Sequence, residues 1–227
     1  MTDKLAETAR LIADACKIHK SVCVAYSGGK DSLAVTALCM ANFERVTAFQ
    51  MVLIPGLRYD QERRDLAKQL WGLDVLEMLH HGTVPMLKGA HYCWPGLIPR
   101  DAYTWSVPES YAMAAAATKS TLVATGQRSG DYCFRMSNVK DIRSIPTLHP
   151  IAGWNTFDVI GFLKSKNIER PPSSGKKTTG LDLSTPSILW LRKAYPDDYE
   201  RVREVFPFVE AIVRREEMYD ASSKAKS

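Results

Sequence analysis

The stretch that most constrains this chain is residues 21–32, SVCVAYSGGKDS. An apolar, partly β-branched run from Ser21 to Tyr26 stops abruptly at Ser27-Gly28-Gly29, and Asp31 to Asn42 then has helix composition. A short continuous apolar run marks a strand covered on both faces, as in parallel sheets. The glycines permit positive φ and close backbone approach. Amides at the start of a helix, helped by its dipole, can hold phosphate oxygens. Ser27 and Ser32 add hydroxyl donors, and Lys30 adds a point charge. Asp31 would repel a phosphate, so its two open roles are holding Mg²⁺ and capping the helix. The spacing is neither G-x-x-x-x-G-K-[ST] nor G-x-G-x-x-G.

The remaining pattern repeats this alternation. Leu5, Ala9, Ile12, Ala13 and Cys16 recur at helical spacing over residues 3–18. Strands are expected over Arg45 to Leu53, Asp74 to Leu79 and Thr121 to Thr125. Helices are expected over Asp60 to Trp71, after the capping-box sequence Ser106-Val107-Pro108-Glu109, and over Asn155 to Lys166. His80 to Trp105, rich in Gly, Pro and His, reads as irregular. Strand–helix alternation implies a parallel sheet with helices on both faces, whose ligands bind at the carboxyl ends of strands. Two loops at such ends, after Tyr26 and after Thr125, carry the most unusual residues. Pro171 to Thr185 reads as a polar loop, either a lid or plain surface. Thr185-Pro186 then opens two or three short helices broken at Pro196 and Pro207. Two regions are therefore expected: an α/β domain over 1–170, and a loop with a small C-terminal helical extension over 171–227.

Composition sets limits. Apolar residues make up 45% and charged residues 24%, as in globular domains. No run approaches the roughly 18 apolar residues of a membrane helix, and the start lacks an apolar signal core. A cytoplasmic chain without a membrane partner is expected. The five cysteines, at 16, 23, 39, 93 and 133, form no C-x-x-C pair. His80, His81, His91 and His149 fit no standard zinc spacing. No protein metal site, no iron–sulfur cluster and no zinc are expected. Thirty Lys and Arg against 25 Asp and Glu give a net charge of +5. That excess suits anionic partners without requiring nucleic acid. Lys176, Lys177, Arg192, Lys193, Arg201 and Arg203 read either as a solvated helical face or as a nucleic-acid face.

The loop Ser27-Gly28-Gly29-Lys30-Asp31-Ser32 resembles the S-G-G-x-D-S signature of the ATP pyrophosphatases (PP-loop enzymes) of the adenine nucleotide α-hydrolase superfamily. Gly126-Gln127-Arg128 through Arg135 is similar to the G-x-R…R segment of its phosphoadenosine phosphosulfate (PAPS) reductase branch. His149-Pro150-Ile151-Ala152-Gly153-Trp154, with Asp158-Val159, resembles that branch's P-I-x-x-W…D-V segment. The resemblance covers residues 20 to 170. It implies a Rossmann-like (HUP-type) parallel sheet of about five strands, with the first region as its nucleotide-binding domain. It implies an adenine nucleotide ligand, ATP with Mg²⁺ or PAPS, and it is compatible with a homodimer. Carried over residue by residue, Ser27, Gly28, Gly29, Lys30, Asp31, Ser32 and Gly126 bind the nucleotide, and Gly56 echoes the base-binding turn after the second strand. Lys30, Asp31, Arg128 and Arg135 carry the catalytic charge. Arginine suits tetrahedral oxyanions because its fork is planar and permanently charged. Trp154 reads as a core anchor and Asp158 as a helix-start carboxylate.

One departure decides between activities. PAPS reductases attack sulfur with a cysteine in a carboxy-terminal E-C-G-(I/L)-H segment, and no cysteine follows Cys133 here. The resemblance without that thiol implies cleavage of ATP at the α–β bond, adenylylation of an unidentified acceptor, and displacement of AMP by a nitrogen or sulfur nucleophile. A sulfonucleotide reductase is the alternative, drawing its thiol from Cys133, Cys93 or a partner. A non-catalytic nucleotide-binding subunit of a nucleic-acid-modifying complex is the third reading. Cys16, Cys23 and Cys39 lie on apolar faces and read as core.

Overall fold

The computed structural model describes residues 2–129, 145–169 and 181–224. It forms a five-stranded parallel sheet in the order β3-β2-β1-β4-β5. The strands are β1 (Ser21–Ala25), β2 (Arg45–Val52), β3 (Val75–Leu79), β4 (Val123–Ala124) and β5 (Thr147–Leu148). Register runs Ser21 opposite Arg45 through Ala25 opposite Phe49, Cys23 opposite Val123, and Val123 opposite Thr147. The expected α/β, HUP-type architecture is the one the chain adopts.

Period-two alternation explains why both faces of this sheet are covered. Val22, Val24, Ala48 and Ala124 join one core with α1 (Thr2–Ile18), α2 (Lys30–Met40) and α6 (Thr156–Ser165), through Ile12, Leu33, Val35, Val159 and Leu163. The alternate residues Cys23, Phe49 and Val123 pack instead on Tyr111, Ala114 and Ala115 of α5 (Val107–Thr118). Two helix starts follow from local sequence. Ser106 and Glu109 form a reciprocal capping box on α5, and Asn155 and Asp158 do the same on α6. Asp158 also receives Lys4 Nζ at 2.6 Å. That hydrogen bond, with the Asn155 amide, holds its carboxyl below the usual range. Trp154 is buried and donates through Nε1 to Thr8 Oγ1 at 3.0 Å, so it anchors the core as expected.

The chain divides into two compact units. The first holds Met1–Met51, Arg63–Met78 and Trp105–Pro171; the second holds Val52–Glu62, Leu79–Thr104 and Pro172–Ser227. The second unit contains α4 (Thr83–Lys88), α7 (Thr185–Ala194), α8 (Pro196–Val205) and α9 (Glu210–Lys224). Its core joins Leu53, Ile54, Leu57 and Cys93 to Ile188, Leu191, Val202, Phe206 and Ile212. Helix α3 (Arg58–Trp71) begins in this unit. The buried carboxyl group of Asp198 accepts the Arg58 and Tyr59 amides at 2.9 and 2.8 Å. Those first amides have no intrahelical partner, and carboxyl oxygens suit the positive end of the helix.

Candidate functional site

The order β3-β2-β1-β4-β5 places β2 on one side of β1 and β4 on the other. The connections therefore diverge between β1 and β4, the position at which open α/β sheets bind ligands. The two loops with unusual sequences, after β1 and after β4, meet there, both inside the first unit.

The loop after β1 is folded on itself by its serines. Ser27 N and Ser27 Oγ each lie 3.2 Å from Ser32 Oγ, which donates to Gly29 O at 3.0 Å. Gly28 has φ +69°, in the left-handed region. A Cβ there would lie 2.6 Å from Arg63 Cγ, so both space and conformation require glycine. Helix α2 starts at Lys30 with Gly29 at its cap and no side-chain cap bond. Asp31 is therefore not capping the helix; its carboxylate pairs with cationic side chains instead. Its Oδ2 accepts Lys30 Nζ at 2.5 Å, and its Oδ1 faces Arg128 Nε at 3.5 Å. That Oδ1 is buried and accepts no hydrogen bond from the described residues.

The loop after β4 approaches as closely as backbone allows. A Cβ on Gly126 would lie 3.0 Å from the Asp31 carbonyl carbon and 3.1 Å from Ser32 N. A side chain at 126 would push the start of α2 away by a few tenths of an ångström, so glycine keeps the Gly126–Arg128 turn against it. Arg128 then points toward Asp31 and also donates to Thr156 Oγ1 at 3.2 Å. Lys30, Asp31 and Arg128 together carry one net positive charge over a helix N-terminus, which is the electrostatics of an anion site.

Two neighbours of this site escape sequence reading. Arg63 is 3% exposed, lays its aliphatic stem on Gly28, and accepts the Tyr26 hydroxyl on its carbonyl at 2.9 Å. It lies four residues from both Tyr59 and Ala67, on the buried face of α3, where its charge argues against an interior position. His149, at the carboxyl end of β5, holds Nδ1 2.7 Å from Thr125 Oγ1. Burial lowers the pKa of its imidazole from the ordinary value. A strand of two residues gives no apolar run by which that placement could have been read.

Other expected residues lie elsewhere. Gly56 belongs to the second unit, where its φ is +77° and its carbonyl accepts Arg201 Nη1. Arg135 and Cys133 fall outside the described residues. Cys93 is 1% exposed, and burial pushes its thiol up from the usual value, away from the reactive thiolate. Cys23 and Cys39 are buried in the first unit with thiols shifted the same way by burial.

No protein-family model matches the chain, and no curated protein does. Among solved structures, it is similar to the U34-tRNA thiolase NcsA from Methanococcus maripaludis, determined with its [4Fe-4S] cluster. The two are 15% identical, with 96% of this chain and 80% of that chain covered and a TM-score of 0.51. This likeness gives the HUP-type fold. It also corrects the expectation that an iron–sulfur cluster is excluded, because a protein of this fold carries one. The missing C-x-x-C pairs cannot serve as grounds for exclusion, since sequence spacing says nothing of ligands that a fold brings together. Among the described residues no three Cys, His, Asp or Glu converge to hold a metal, and Cys133 lies outside them. No described helix is long and apolar enough to cross a membrane.

Proposed function

We propose that this chain is an ATP pyrophosphatase-type enzyme that adenylylates an acceptor and then lets a nitrogen or sulfur nucleophile displace AMP. The observation that carries the reading is the junction of the two loops at the β1–β4 switch point. Gly126, set tightly against the start of α2, brings Arg128 to Lys30 and Asp31 at one helix N-terminus. The triphosphate lies along residues 27–32, its charge met by the α2 amides, Lys30 and Arg128. Asp31 Oδ1, buried and without a hydrogen-bond donor among the described residues, is the acceptor for the Mg²⁺ that accompanies the nucleotide.

An acceptor oxygen attacks the α phosphorus. The new P–O bond forms as the α–β bridging bond breaks, and pyrophosphate leaves with the bonding electrons. The nucleophile then attacks the activated carbon, and AMP departs. Positioning and charge neutralisation supply most of the acceleration in such chemistry, so no general base is required at the loop. The thiolase activity of the structural neighbour supports sulfur as the nucleophile and an RNA base as the acceptor class. The reductase alternative has less support, because the described cysteines are buried or lie on core helices.

The test is exchange of labelled pyrophosphate into ATP in the presence of total RNA. Wild-type protein is expected to catalyse it, and Asp31→Ala to reduce it about a hundredfold or more, the scale set by losing a charge-stabilising group. Asp31→Ala exchanging at the wild-type rate would overturn the site.

A further inference from the structure

We infer that His149 is a positioning residue of this site: through Thr125 it fixes the Gly126–Arg128 turn and hence the place of Arg128. The kinetic part of this inference rests on the nucleotide reading above.

The turn is stitched to the segment after β5 at three points. Thr125 Oγ1 meets His149 Nδ1 at 2.7 Å, Ser129 N donates to Ala152 O at 2.8 Å, and Arg128 Nη1 donates to Thr156 Oγ1 at 3.2 Å. Thr125 is 2% exposed, and its hydroxyl also accepts the Gln127 amide at 3.4 Å. A threonine hydroxyl has one proton to give. With the Gln127 amide donating into it, the hydroxyl still bonds His149 Nδ1 in either imidazole tautomer, as donor to a bare nitrogen or as acceptor from N–H. His149 thus orients the hydroxyl, which in turn holds the Gln127 amide inside the turn.

The segment bearing His149 is itself rigidly placed. Thr8 Oγ1 donates to Pro150 O at 2.8 Å while accepting Trp154 Nε1, and Ile151 is fully buried. A chain of hydrogen bonds thus runs from α1 through residues 149–154 to the turn that carries Arg128. A merely space-filling residue at 149 would leave the buried Thr125 hydroxyl without this partner.

The substitutions that separate these roles are His149→Leu, which keeps bulk and removes the partner of Thr125, and His149→Asn, whose side-chain amide stands near the position of Nδ1 and can donate or accept. Hydrogen exchange at the Gln127 and Ser129 amides reads the turn without any ligand. His149→Leu is expected to speed exchange there about tenfold or more, the scale of one buried unsatisfied group, and His149→Asn to restore it to near wild type. In the pyrophosphate assay His149→Leu is expected to lower kcat about tenfold with a smaller change in KM for ATP, again with recovery by asparagine. Unchanged exchange in His149→Leu, or asparagine behaving like leucine, overturns the inference. If exchange follows the expected pattern but neither wild type nor Asp31→Ala differs in pyrophosphate chemistry, the nucleotide reading fails and the positioning role stands.

Discussion

Two glycines do what no charged residue in the site can do for itself. Gly28 leaves room for the stem of Arg63, and Gly126 lets the turn that carries Arg128 sit against the start of α2, where Lys30 and Asp31 stand. Gly126→Ala would press a methyl group onto the Asp31 and Ser32 backbone, which cannot rotate away as a side chain would. Turnover is expected to fall about a hundredfold, as for a displacement near 1 Å of reacting groups. Gly153→Ala, where a Cβ meets nothing within 4 Å, serves as the control and is expected to leave turnover unchanged. Steady-state rates of the two variants check this. Both glycines were legible, since each stands at a strand end before a cationic residue. Arg63 was not legible as interior because of its charge, although its spacing from Tyr59 and Ala67 puts it on the buried face of its helix.

Among elements, those with local causes were readable and those with distant causes were not. The α5 capping box is written in four consecutive residues, and Ser106→Ala is expected to cost about 1 kcal/mol of stability, a shift of about 2–4 °C in Tm by thermal denaturation. Helix α4 lies inside the stretch expected to be irregular, where Pro85 occupies its first turn and Gly82 and Gly89 bound it. Pro in a first turn is compatible with a helix, so composition misled there. Strand β5 is two residues long and exists because Val123 and Ala124 offer a ladder to pair with. No periodicity can announce such a strand. The same applies to the start of α3, whose cap comes from Asp198, about 140 residues along the chain.

At the level of the whole molecule, Val52–Glu62 and Leu79–Thr104 cluster with the C-terminal helices. Nothing local in those segments names their partners, since the apolar contacts are long-range. The titration of half-buried histidines also belongs to this scale. Burial, and then His81 beside it, push His80 down to about 4, and burial lowers His81 and His149 too. A histidine with a lowered folded pKa binds its proton more readily in the unfolded chain. Stability is therefore complete above the unfolded value near 6.5 and is lost as pH falls toward 4. Urea midpoints measured between pH 7 and 4 are expected to drop steadily, and His80→Gln to flatten that limb. An equally steep limb in the variant would remove His80 from this account.

The most direct measurement of the central claim is calorimetric titration of Mg-ATP and of PAPS into the same preparation, repeated with Asp31→Ala. The account predicts tighter binding of Mg-ATP than of PAPS by the wild-type chain, and loss of that preference in the variant, since Asp31 is the residue assigned to the metal. PAPS binding more tightly than Mg-ATP, or Mg-ATP binding equally well to Asp31→Ala, would contradict it.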